Sequence, residues 1–273
     1  MNRFQWLNIG SASLQFLLFI GLIIWLAIKD KTAPPFSLAI GEYDGERNDV
    51  AECKTYGKPS FDVVVGLLLA FTGITCAFHT VYAFEPNFYI TAVKGGNNWL
   101  RWGEYSMTAT LMLVAIAMIS AVHELDALIL IAVCSAGCMM LGQTAESAMK
   151  TNNKSAAISA TVVGWILLFG AFGVILRNYH KAANPEDPTT PKPPAIVTII
   201  VYTMLVLFSS FGVINVFRTI LAKGTPGEDY NRATEGIYSI ASMVAKTLLV
   251  LLIYGGILGQ TLGNDAIANK KLS

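Results

Sequence analysis

The chain has 273 residues, is 54% hydrophobic and 14% charged, and carries a formal net charge of +1. So near-neutral a balance excludes a protein built to bind nucleic acid or a strongly acidic partner. The apolar residues fall in blocks long enough to cross a bilayer, which places the chain among integral membrane proteins, with lipid as its main surroundings.

Seven such blocks follow one another: Leu7 to Ile28, Phe61 to Ala83, Trp99 to Val122, Leu125 to Met149, Ala156 to Leu176, Ala195 to Leu221, and Gly236 to Leu262. The first follows Arg3, but it exceeds a signal-peptide core and no small-x-small site precedes Ala33-Pro34-Pro35, so it counts as a span. Residues 29–60 form a long polar loop, where "FSLAIGEYDGER" alternates before a turn signal and reads as a β-hairpin or as a solvated acidic loop. Cys53 lies in this loop and Cys76, Cys134 and Cys138 in spans, so no disulfide framework is implied. Two thiols on one helix face, Cys134 and Cys138, make no metal site without further ligands. "NPEDPTTPKPP", from Asn184 to Pro194, is a connector that cannot be helical. The expected architecture is all-α, a single seven-helix membrane domain over residues 1–273. Lys and Arg divide too evenly between the two sides to orient it. Asn153-Lys154-Ser155 is a glycosylation sequon in form only, usable if its loop is luminal.

Few ionisable residues sit inside the spans: His79 in the second, Glu104 in the third and Lys246 in the seventh. An ammonium at mid-membrane costs about 2.5 to 3.5 kcal/mol on the lenient insertion scale. Lys246 lies about 15 Å of helix from either end of its apolar run, too deep to snorkel. It therefore needs a partner, a neutral form or a covalent fate. In "RWGEYSMT", Arg101, Glu104 and Thr108 are spaced i, i+3 and i+7 on one face of the third helix. In "SIASMVAK", Ser242 stands one turn before Lys246. One amine, one carboxylate and two hydroxyls can thus meet inside the bundle. A structural ion pair and a hydrogen-bonded core histidine are the plainer readings of the same residues.

The pattern resembles rhodopsins that bind retinal through a seventh-helix lysine, with "RWGEYSMT" similar to their third-helix counterion motif. Glu104 in place of the usual Asp, Ser242 where a second aspartate usually stands, the long first loop and His79 together are similar to heliorhodopsins. The resemblance implies retinal, all-trans in the dark, held as a protonated Schiff base at Lys246 with Glu104 as counterion. It implies a cytoplasmic N-terminus, an extracellular C-terminus with the first loop outside, and a homodimer. Arg101, Glu146 and Glu235 match the family's cytoplasmic polar network, and His79 the histidine of a polar cavity on the other side of the imine. The family's first-helix histidine is absent, leaving Gln15 or Ser13 to take its place. Met139, Gly142, Trp165, Phe208 and Phe211 are plausible walls of a slot for a flat polyene, though each is equally an ordinary packing residue.

Eleven residues beyond Glu104, where an outward pump needs a carboxylate to return the proton, stands Ala115, so a pump is disfavoured. The expected function is a slow photocycle with a photosensory or regulatory output and an unknown signalling partner, and not enzymatic. The alternatives are light-gated passage of protons or other ions, a membrane enzyme using a Schiff-base lysine, and a transporter or structural multi-span protein in which Lys246 and Glu104 merely pair.

Overall fold

The computed structural model describes residues 3–28, 41–42, 54–55, 62–186, 192–221 and 226–272. Eight helices occur among them: α1 (Arg3–Ile28), α2 (Asp62–Phe84), α3 (Pro86–Lys94), α4 (Trp99–Ile119), α5 (Leu125–Lys150), α6 (Lys154–Ala183), α7 (Ala195–Thr219) and α8 (Glu228–Leu272). All but α3 are long and apolar enough to span a membrane, so the protein is an integral, multi-pass membrane protein. In the first loop Gly41–Glu42 (β1) pairs antiparallel with Lys54–Thr55 (β2), Gly41 opposite Thr55 and Glu42 opposite Lys54. The expected turn at 43–46 and Cys53 lie outside the described residues.

Local chemistry sets the helix starts near the site. Asn153, the sequon asparagine, is instead the N-cap of α6, its side chain accepting from the Ala156 N–H at 3.1 Å. Helix α3 was not foreseen, because nine residues are too few to leave a clear period among apolar neighbours. Pro86 opens it, and Tyr89 and Val93, one turn apart, are buried against the bundle. Gly96 then turns the chain at φ +72°, a conformation that favours glycine, and leads into Asn98, the N-cap of α4.

Around the bundle α1, α2, α4, α5, α6, α7 and α8 pack each against the next, and α8 closes on α1. The starts of α1, α4, α6 and α8 therefore meet the ends of α2, α5 and α7 at the end covered by α3. Helix α4 is the most enclosed span, and its small residues Ala109, Ala115 and Ala117 let neighbours approach on several sides.

Candidate functional site

Lys246 Nζ, on α8, donates to Glu104 Oε1, on α4, at 2.6 Å, and both side chains are buried. The same oxygen lies 3.9 Å from His79 Nε2 on α2. His79 Nδ1 is 2.8 Å from Asn8 Oδ1 on α1. With that amide oxygen accepting, Nδ1 carries the hydrogen, and Nε2 is the ring nitrogen that faces the carboxylate. The Tyr105 ring centre lies 5.2 Å from the amine. One acid thus faces both the amine and the imidazole.

A cavity of about 320 Å³ opens beside the amine, lined by Lys246, Ser242, Thr108, Tyr105, Met112 and the shared wall of Met139, Phe208 and Phe211. A second, of about 440 Å³, lies across that wall and reaches Trp102, Gly142, Trp165 and Asn215. Both are lined mainly by apolar side chains with few polar groups, as small-molecule sites are. Gly142 is required here: a Cβ would overlap the six-membered ring of the Trp102 indole, which lies against the bare backbone.

A second cluster fills the α3 end of the bundle. The Arg101 guanidinium donates to Glu235 from one nitrogen and to Glu146 from another, and lies 4.2 Å from the Tyr238 ring centre. Glu235 Oε1 also accepts from Tyr89 Oη at 2.7 Å and from Asn98 Nδ2 at 2.9 Å. Arg218 stands 3.4 Å from Glu146 and donates to Thr234, Asn231 and the Gly96 carbonyl, each at 3.0 Å. All four charged side chains are buried, and two cations balance two anions, which offsets the cost of their desolvation.

The structure therefore brings Lys246, Glu104, Ser242, Thr108 and His79 together and joins Arg101 to Glu146 and Glu235. Several expectations are corrected. His79 is not across the amine from the Arg101 cluster: α2 ends and α4 begins at the same end of the bundle, so both lie on the α3 side of Lys246. Tyr82, edge-on to His79, stacks on Tyr89 at 4.6 Å and links the two groups. Ser13 is exposed on the outer face of α1, and Gln15 is buried but donates to Thr247 at 3.4 Å, so Asn8 is the histidine's partner. Thr108 lines the cavity beside the amine as expected, and its hydroxyl donates to the backbone oxygen of Glu104 at 3.0 Å.

Arg218 was missed because a cation near a helix end ordinarily snorkels to the interface; here Glu146, Asn231, Thr234 and the Gly96 carbonyl of the α3–α4 loop enclose it. Asn8 was missed because one amide in an apolar run carries no periodic signal. Its facing His79 depends on α1 packing along α2.

Seven spans ringed about a buried lysine–carboxylate pair and an apolar slot define the fold of the microbial rhodopsins, and solved structures agree. The rhodopsin of Exiguobacterium sibiricum superposes with a TM-score of 0.66 at 11% identity, covering 93% of this chain and 95% of that one. The transmembrane domain and linker of the Salpingoeca rosetta rhodopsin phosphodiesterase gives 0.69 at 13% identity, covering 100% of this chain and 76% of that one. The proton-pumping rhodopsin AR2 of Acetabularia acetabulum gives 0.65 at 9% identity, covering 97% of both. Among curated proteins, none matches the sequence significantly. The heliorhodopsin family profile matches residues 4–258, and the chain belongs to the heliorhodopsin family. It is a light-responsive membrane protein of retinal type.

Proposed function

We propose that the protein is a photosensory heliorhodopsin, not an enzyme, in which Lys246 holds retinal, all-trans in the dark, and Glu104 is its counterion. The observation that carries this reading is the buried 2.6 Å Lys246–Glu104 pair opening directly on the cavity walled by Met139, Phe208 and Phe211. These residues fit the group: an amine with one acid for its charge, then aromatic and small walls for a flat chain. When bound, retinal supplies visible absorption, light-driven isomerisation and a cationic nitrogen at Lys246.

With retinal bound, Glu104 would hold that charge in the dark and would be the first acceptor of the proton it carries. His79 Nε2, 3.9 Å from Glu104, is the nearest imidazole acceptor. Ser242 sets a hydroxyl where a second carboxylate would compete, so the charge rests on one acid. Beyond the amine, α4 continues as buried Met112, Leu113, Ala115, Ile116, Ala117, Met118 and Ile119, with no side chain to return a proton. That apolar half favours a sensor over a pump or an open ion path, the output being a shift between helix arrangements. In this reading the N-terminus is cytoplasmic, the C-terminus extracellular, the photocycle slow and the protein a homodimer.

Adding all-trans retinal to membranes holding the protein is expected to produce a visible band. Borohydride reduction should then leave the retinyl mass on the peptide bearing Lys246; no band, or the mass on another peptide, would falsify the assignment. Illumination under clamped voltage should give no current, whereas a current reversing with the ion gradient would establish a channel.

A further inference from the structure

The pair of Glu104 and His79 and the Arg101 cluster lie on the same side of Lys246, and tyrosines stand between them. On α8, Glu235, Ser239, Ser242 and Lys246 follow at i, i+4, i+7 and i+11, all buried, a polar stripe that by spacing alone would carry protons from one centre to the other. The hydroxyl hydrogens do not run that way. Tyr105 Oη, within hydrogen-bond reach of Ser242, donates to the Tyr238 backbone oxygen at 3.1 Å. Its one hydrogen is thereby committed, so Ser242 donates to it, and the chain that starts beside the amine ends on a carbonyl, which has no hydrogen to pass on. At the other end Tyr89 Oη donates to Glu235 at 2.7 Å and takes the Ser239 hydrogen, so that chain ends on the carboxylate.

The remaining route leads from Glu104 through His79 and stops at Tyr82. The Tyr82 ring stands edge-on to His79, 5.6 Å between centres, and stacks on Tyr89 at 4.6 Å. Phe4 meets Tyr89 edge-on, Phe78 meets Tyr82 in the same way, and Val93 and Leu100 complete an apolar cluster around the stack. The Tyr82 hydroxyl is buried and has no hydrogen-bond partner among the described residues, so it belongs to neither chain.

We infer that the Tyr82 ring is the barrier that confines a proton to Glu104 and His79 and keeps it from Glu235. Confinement needs the ring and not the hydroxyl, because apolar volume is what excludes a bridging water. A proton leaving the nitrogen at Lys246 binds Glu104 or His79 Nε2 and returns by the same contacts, and none reaches the α3 end. The barrier deepens the sensor reading and rests on it only where light is used, since the stack is a property of the chain itself.

The test compares Tyr82→Phe, which keeps the ring, with Tyr82→Ala, which leaves room for water between His79 and Tyr89. Without retinal, ¹⁵N-histidine labelling follows exchange of the His79 Nδ1–H with heavy water, and the chain has only three histidines to resolve. Exchange should be slow in the wild type and in Tyr82→Phe, and about tenfold faster in Tyr82→Ala, equivalent to ~1.4 kcal/mol less protection. With retinal bound, a soluble pH dye should register no proton transient after a flash in the first two proteins and a transient in the third. Exchange at His79 in the wild type as fast as at exposed His180 overturns the barrier without any variant, which covers the case of Tyr82→Ala failing to fold. Tyr82→Phe behaving as Tyr82→Ala overturns it as well, since the hydroxyl would then be the element that matters. Slow exchange and a silent dye in all three proteins overturn the role of the ring. If no pigment forms while the exchange pattern holds, the retinal reading fails and the barrier stands.

Discussion

Lys246 puts a primary amine where an ammonium is costly, and its 2.6 Å contact with Glu104 meets that cost with a single anion. The two substitutions part company spectroscopically. Lys246→Ala should abolish the visible band, whereas Glu104→Gln should keep a band shifted to longer wavelength, since removing the anion lets positive charge spread along the polyene; retention of colour by the first would refute the anchor. Gly142→Ala forces the Trp102 indole to move, with an expected stability loss of about 1–3 kcal/mol in unfolding titrations and an altered absorption maximum. Lys246 and Glu104 could be read from the sequence because charge in an apolar run is rare and spacing pairs it. Arg218 and Asn8 could not, since what distinguishes each is a neighbour more than sixty residues away: Gly96 for Arg218, His79 for Asn8.

Helices α4 and α6 start on asparagine caps, but the two caps are not equivalent. Asn98 caps α4 through Oδ1 and donates from Nδ2 to Glu235, whereas Asn153 only caps α6. Asn153→Ala should therefore cost about 1 kcal/mol and Asn98→Ala about 2 kcal/mol, measured by denaturant unfolding in detergent. Equal losses would mean that the Asn98–Glu235 bond contributes nothing. The spans were legible because twenty apolar residues leave little choice of structure, and their ends drifted because capping and close packing, not hydropathy, decide where a helix stops. The α6 helix illustrates this: it runs from Lys154 to Ala183, past both ends of its apolar block.

At the scale of the whole molecule the four buried charges form one balanced set drawn from α4, α5, α7 and α8. Arg218→Leu strands part of the charge on Glu146 and should destabilise the protein by about 3–5 kcal/mol, while Arg218→Leu with Glu146→Leu should recover much of that loss. The double variant's failing to recover would show that Arg218 matters chiefly through Asn231, Thr234 and Gly96. Helix α8 runs uninterrupted through both centres. Lys246 and Glu235 are 11 residues apart, about three turns, so they share a face of one stiff rod separated by about 16 Å along its axis. A rod does not absorb displacement by bending over so short a length. Any twist or thrust applied at Lys246 must reappear at Glu235 and strain its grip on Arg101, Tyr89 and Asn98, so the latch at the far end feels the push without a proton or an ion having to travel between them.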